Sequence, residues 1–202
     1  KYDLLNNRFN EIALQVQRLR NDHAMKLDQE INNELAPLKL ENAKFKTFCE
    51  NCVANEKGID KVIFKIQTNP KSEMGLIKNI SSGGELCRIA LAIKVIAQKN
   101  NKTVMVFDEV DSGIGGAVSS AVGERLKKLG DSRQVLVVTH SPQVAAFGND
   151  HFIVKKTYNE DDVHIDVKKV NVKEKVFEVA RMLSGKNVTD EAISAAKRLI
   201  EY

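Results

Sequence analysis

The chain has 202 residues, 43% of them hydrophobic and 29% charged, with a formal net charge of +4. That length holds one good-sized core with an appendage, or two small domains, and that balance excludes wholesale disorder. A charge of +4 is too small to identify a nucleic-acid-binding protein, so it neither supports nor excludes DNA as a partner.

No apolar run approaches the roughly 20 residues that span a bilayer, and the charged opening KYDLLNNRFNEIALQVQRLR is no signal peptide. Three cysteines do not make a disulfide framework, and a cytoplasmic, reducing compartment is expected. Cys49 and Cys52 have the spacing of a CxxC pair, but matched zinc ligands and a βαβ context are both missing. They read as free thiols on a strand or loop. A start at Lys1 rather than at a methionine suggests a piece of a longer protein.

Leu5, Phe9, Ile12, Val16, Leu19 and His23 alternate steps of four and three, the spacing of a coiled-coil seam. The phase then slips, and Leu27, Ile31, Leu35 and Leu38 form a second stripe until Pro37 interrupts the helix. Residues 1–40 are therefore expected to be a stub of a longer coiled coil, with an amphipathic helix packed on its own domain as the alternative. Residues 41–202 are expected to form one lobe. In it, residues 61–67 (KVIFKIQ) and the stretch around Phe45 and Phe48 predict two strands about a loop at Gly58.

The segment Ser81-Ser-Gly-Gly-Glu-Leu-Cys-Arg88 opens a periodic helix with Leu86, Ile89, Ala90, Ile93, Ile96 and Ala97 on its apolar side. Residues 103–107 (TVMVF) are continuously apolar, which predicts a strand buried on both faces. Asp108-Glu109 ends it, and a glycine-rich turn opens a helix carrying Val118, Val122, Leu126 and Leu129, stopped at Gly130. Residues 134–139 (QVLVVT) predict a second buried strand, parallel to the first across the intervening helix, with His140 at its end. A hairpin is expected from residues 151–156 and 163–170 across the polar turn 158–162. Two helices follow, one bearing Val176, Val179, Ala180 and Leu183, the other capped by Thr189, with Gly185 between.

Chemistry concentrates in three places. Two acids at the C-terminal end of a strand lie where open α/β sheets place ligands. There Asp108 suits Mg²⁺ and Glu109 suits the attacking water of a nucleotide hydrolase. Ser82, Gly83, Gly84 and Glu85 open a helix whose unpaired amides and dipole favour a phosphate. His140 stands where it could contact a γ-phosphate or the attacking water. Singly, each admits a plain reading: solvated acids, a capped helix start, a hydrogen-bonded surface histidine, and for Asp111 a turn residue. The ordered set of SGGE, an apolar strand ending in DE, Asp111, and an apolar strand ending in TH favours the functional one.

That set resembles ABC-type ATPases. Ser82-Gly-Gly-Glu-Leu86 is similar to the signature motif, residues 104–109 (VMVFDE) to Walker B, Asp111 to the D-loop and His140 to the switch histidine. Residues 108–116 (DEVDSGIGG), 139–145 (THSPQVA), 68–70 (TNP) and 180–185 (ARMLSG) resemble the RecN family of SMC-like DNA-repair ATPases, from about Lys26 to the C-terminus. Cys87 and Gly115 stand where that family usually or often has serine.

The resemblance implies an α/β fold: the C-terminal lobe of an ABC/SMC-type ATPase head, within the P-loop NTPase fold, carrying the returning arm of a coiled coil. It also implies ATP and Mg²⁺ as ligands, with Asp108 on the metal, Glu109 and His140 catalytic, and Ser82, Gly83, Gly84, Glu85 and Asp111 on the nucleotide. Implied partners are DNA, a second head across two sandwiched ATP molecules, and the N-terminal P-loop lobe, with a nucleoid-associated location and a role in double-strand-break repair. The chain contains no GxxxxGK[ST] segment, so by itself it is expected to be inactive and to bind ATP poorly. A dimerisation module without turnover is the alternative. A transporter cassette is disfavoured by the heptads and the RecN-like tail.

Overall fold

The computed structural model describes residues 1–98, 103–158 and 163–201, and it divides into two compact units, Lys1–Asn101 and Lys102–Tyr202. Each is taken by itself.

The first unit is led by α1 (Tyr2–Leu35), 34 residues and roughly 50 Å long at 1.5 Å per residue. Pro37 sits in the 3-10 turn Ala36–Leu38 that follows. Lys39 then adopts the left-handed conformation, with φ 58° and ψ 42°. Its N–H donates to the Ala36 carbonyl at 3.0 Å and that of Leu40 to the Leu35 carbonyl at 3.0 Å, a Schellman-type closure made with lysine where glycine is usual. Strands β1 (Lys44–Asn55) and β2 (Gly58–Gln67) form an antiparallel hairpin with Asn55 opposite Gly58, and β3 (Gly75–Leu76) adds to β2. Gly58 has φ 117°, a value that excludes most side chains at this turn. Helix α2 (Gly83–Ala97) completes the unit.

The two stripes of α1 have different fates. Leu5, Ile12 and Leu19 remain exposed, whereas Ile31, Leu35 and Leu38 are buried in a core that includes Phe45. The second half of the helix also satisfies backbone groups of β1. Asn32 accepts from the Phe45 N–H at 2.8 Å and donates to its carbonyl at 2.9 Å, and Asp28 accepts from the Thr47 N–H at 2.8 Å. Arg20 bonds the Asp60 carboxylate and, at 3.0 Å, the Lys57 carbonyl. Cys49 and Cys52 lie on β1 as free thiols, as expected.

Helix α2 turns a different side inward from the expected one. Arg88, Ile89, Leu91, Ala92 and Val95 are buried, while Leu86 and Ala90 are exposed. The helix is apolar on nearly every side, so periodicity alone does not choose the face.

The second unit runs β4 (Met105–Asp108), α3 (Gly116–Gly130), β5 (Val135–Val138), α4 (Pro142–Ala146), β6 (His151–Tyr158), β7 (Val163–Val170), α5 (Val172–Ser184) and α6 (Asp190–Ile200). Strands β4 and β5 are parallel, with Met105 opposite Val135 and Asp108 opposite Val138. Burial on both faces was expected, and the structure corrects this. Met105 and Phe107 are buried, but Val106 is 52% and Val138 58% exposed, and Leu136 is exposed with them. A parallel sheet normally has cover on both sides, and among the described residues only one side is covered.

Strands β6 and β7 pair antiparallel, with His151 opposite Val170. Residues 159–162 of the expected turn lie outside the described residues. A capping box of Asn171 and Glu174 opens α5, and Thr189 caps α6. Val179, Ala180, Ala192 and Ala196 form the core of this helix pair. Among the described residues, no helix is long and apolar enough to cross a membrane.

Candidate functional site

At the start of α2, Ser82 has extended backbone and its Oγ accepts from the Glu85 N–H at 3.4 Å. Ser82 and Gly83 are exposed, Gly84 is buried and Glu85 is half-buried in the first turn, where its carboxylate suits the helix dipole. A Cβ placed on Gly83 would meet nothing within 4 Å, so packing inside this chain does not demand glycine there. Directly behind lies a residue that the sequence reading missed. Buried Arg88 donates through Nε to the Gly84 carbonyl at 3.1 Å, and through Nη1 to the carbonyls of Leu38 at 2.8 Å and Lys39 at 2.9 Å. One guanidinium thus joins the first turn of α2 to the 3-10 turn that closes α1. An arginine one turn after Gly84, beside buried Ile89 and Leu91, was the available signal, because a buried guanidinium must find acceptors.

In the second unit, β4 delivers Asp108 in register with Val138, on the same uncovered face as Val106. The Glu109 N–H donates to the Val138 carbonyl at 3.1 Å, extending the ladder by one residue. Glu109 itself has φ 49°, in the left-handed region, which costs a non-glycine residue on the order of 1 kcal/mol. Both carboxylates are exposed. The chain then folds back, with the Ser112 N–H donating to the Glu109 carbonyl at 3.0 Å.

Asp111 is only 1% exposed. Its Oδ2 accepts from the Thr139 hydroxyl and, at 2.9 Å, from the Ser141 N–H, while Oδ1 is buried without a partner. A place on the nucleotide was expected for Asp111, but its carboxylate faces inward. His140 lies between those two donors, its side chain 73% exposed and its Nδ1 4.0 Å from Asp111 Oδ2. Ser141 caps α4, with Pro142 at its first position. Asp108, Glu109, Asp111 and His140 therefore gather at one end of the β4–β5 pair, while Ser82 to Glu85 belong to the first unit.

Among the described residues, no three His, Cys, Asp or Glu side chains cluster as a metal site. Mg²⁺ commonly binds through one or two carboxylates together with waters and substrate phosphates. The exposed carboxylate of Asp108, beside that of Glu109, fits an ion that arrives with a nucleotide.

No family model matches the sequence. The DNA repair protein RecN of Rickettsia bellii (strain RML369-C) is 44% identical over 179 residues, covering 88% of this chain and 32% of that protein. That of Rickettsia prowazekii (strain Madrid E) is 40% identical over 199 residues, covering 98% and 36%. The chain thus spans about a third of the length of the curated relatives it matches. A chain solved in work on ATP-driven dimerization and DNA stimulated activation of SMC ATPases superposes with a TM-score of 0.61 at 17% identity, over 85% of this chain and 99% of that one. The Smc head domain with coiled coil and joint from Pyrococcus yayanosii gives a TM-score of 0.62 at 18% identity, over 80% and 29%. The fold is that of an SMC-type ATPase head lobe. With close sequence relatives over nearly its whole length, the chain belongs to the RecN family.

Proposed function

We propose that this chain supplies the signature and Walker B half of an ATP-hydrolysing head in a DNA-repair protein. The observation that carries this reading is the joint placement of Asp108, Glu109 and His140, all exposed, at the C-terminal end of a parallel strand pair. Asp108 holds Mg²⁺ on the nucleotide, Glu109 orients and deprotonates the attacking water, and His140 meets the γ-phosphate. The strained backbone at Glu109 supports a working role, since such strain persists where function keeps it. Ser82, Gly83, Gly84 and Glu85 bind the terminal phosphate of a nucleotide held mainly by a second head, so that two heads close on two ATP molecules. The open space over Gly83 supports close approach from outside this chain.

The phosphate-cradling loop comes from an N-terminal lobe of the same protein. Support for this lies in the uncovered face of β4 and β5. It lies also in a groove of about 1520 Å³ that has β5 on one side and β6 on the other. In the complete protein, DNA is the partner, the work is double-strand-break repair and the location is the nucleoid.

In the full-length protein, Glu109→Gln is expected to cut hydrolysis by about a hundredfold or more while keeping ATP binding, because the amide keeps the shape but accepts no proton. Wild-type turnover by this variant would overturn the role of Glu109. A dimerisation module without turnover would instead show no ATPase activity in the wild type.

A further inference from the structure

We infer that Asp111 is a positioning residue for His140, acting through the two residues that flank it rather than through the nucleotide. The inference rests on the ATPase reading above and extends it. Asp111 is buried, so it cannot reach a ligand from outside. One oxygen of its carboxylate gathers the Thr139 hydroxyl and the Ser141 N–H, and the same N–H lies 2.9 Å from Thr139 Oγ1. These three groups form a closed triangle around the backbone of His140. With the positions before and after it tied to one buried atom, the Cα of His140 has little freedom, while its ring stays exposed.

The brace also joins two loops. Asp111 follows the acids that end β4, and Thr139 to Ser141 lead from β5 into α4. The turn carrying Asp111 begins at Glu109, whose carbonyl accepts from Ser112. Together with the Glu109 N–H to Val138 carbonyl bond, the Asp111 carboxylate therefore ties the turn that begins at Glu109 to the segment carrying His140. Truncation to alanine would leave both donors without this acceptor and let the two loops separate. Asparagine can keep the geometry: its amide oxygen can take both bonds, and its NH₂ would occupy the Oδ1 position, where no donor is displaced.

The test is a double-mutant cycle on ATP turnover in the full-length protein. His140→Ala is expected to lower kcat on the order of a hundredfold. Asp111→Ala should lower it by about tenfold or more with little change in KM, as a displaced catalytic group does. Combined, the two should lose no more than His140→Ala alone, and Asp111→Asn should recover most of the loss. Thr139→Val, which removes a single donor, guards against a variant that fails to fold. It should give a smaller loss, also absent when His140 is already alanine. Independent losses that multiply in the double variant, or an asparagine variant as impaired as alanine, would overturn the inference. Full turnover by His140→Ala would instead sink the role given to His140, and this inference with it.

Discussion

The functional ends of the two units are built on opposite plans. In the first unit, Arg88 behind the start of α2 has three carbonyl partners, and on α1 Asn32 bonds both backbone groups of Phe45 and Asp28 an amide of β1. In the second unit the acids and His140 stand beside bare apolar surface, Val106, Leu136 and Val138. The neighbouring hairpin shows Phe152, Val154, Ile165 and Val167 as well. An apolar patch of this kind marks a surface for association. The start of α2 is thus tied down by its own unit, whereas the end bearing Asp108, Glu109 and His140 adjoins exposed apolar side chains.

Four changes would break or sharpen this contrast. The largest effect is expected from Ser82→Arg in the full-length protein. A cation at a helix N-terminus opposes the dipole, and a bulky side chain blocks the approach of a second head. ATP-dependent dimerisation, followed by light scattering, should be lost while nucleotide binding to one head persists. Loss of binding to a single head would contradict the trans role.

Arg88→Ala comes next. It strips the carbonyls of Leu38, Lys39 and Gly84 of their donor, so chemical denaturation of this chain should show about 1–3 kcal/mol of destabilisation. A neutral result would mean that the clamp does not hold the signature end.

Val138→Thr should do the reverse. It is a surface change in this chain, worth within about 0.5 kcal/mol, yet it should weaken association with the preceding lobe. A large loss of stability in the chain alone would show that the face is already packed.

The smallest effect concerns Glu174. The hydrogen bond from Lys168, and then the Asn171 amide, hold its carboxyl below the usual carboxylate range. A depressed folded value means that the stabilisation is present at neutral pH and fades as the pH falls through that value. The difference in melting temperature between wild type and Glu174→Ala should therefore be visible at neutral pH and vanish in acid. A difference that persists unchanged in acid would remove the ionic contribution.

Local chemistry made the elements readable. Ser82 and Thr189 as caps, Gly58 at the hairpin turn, and the apolar runs into Asp108 and His140 each specify structure within a few residues. What lay beyond reach depends on distant partners. The run TVMVF looks the same whether one face or two will be covered, and here Val106 is left exposed while Met105 and Phe107 are buried. Arg88 looked like one more charge after a motif until the fold set Leu38 and Lys39 beside it. Asp111 belonged to a recognisable loop, but only the return of β5 shows that its carboxylate turns inward.

Calorimetry tests the half-site most directly. Mg-ATP is titrated into the purified chain, alone and then with the separately expressed preceding lobe. The charges of Asp108 and Glu109 repel a polyanion unless Mg²⁺ intervenes, and the chain contains no GxxxxGK[ST] segment to compensate. No saturable binding is expected from the chain alone, and binding should appear once the lobe is added. Micromolar binding of ATP by the chain alone would contradict the half-site reading.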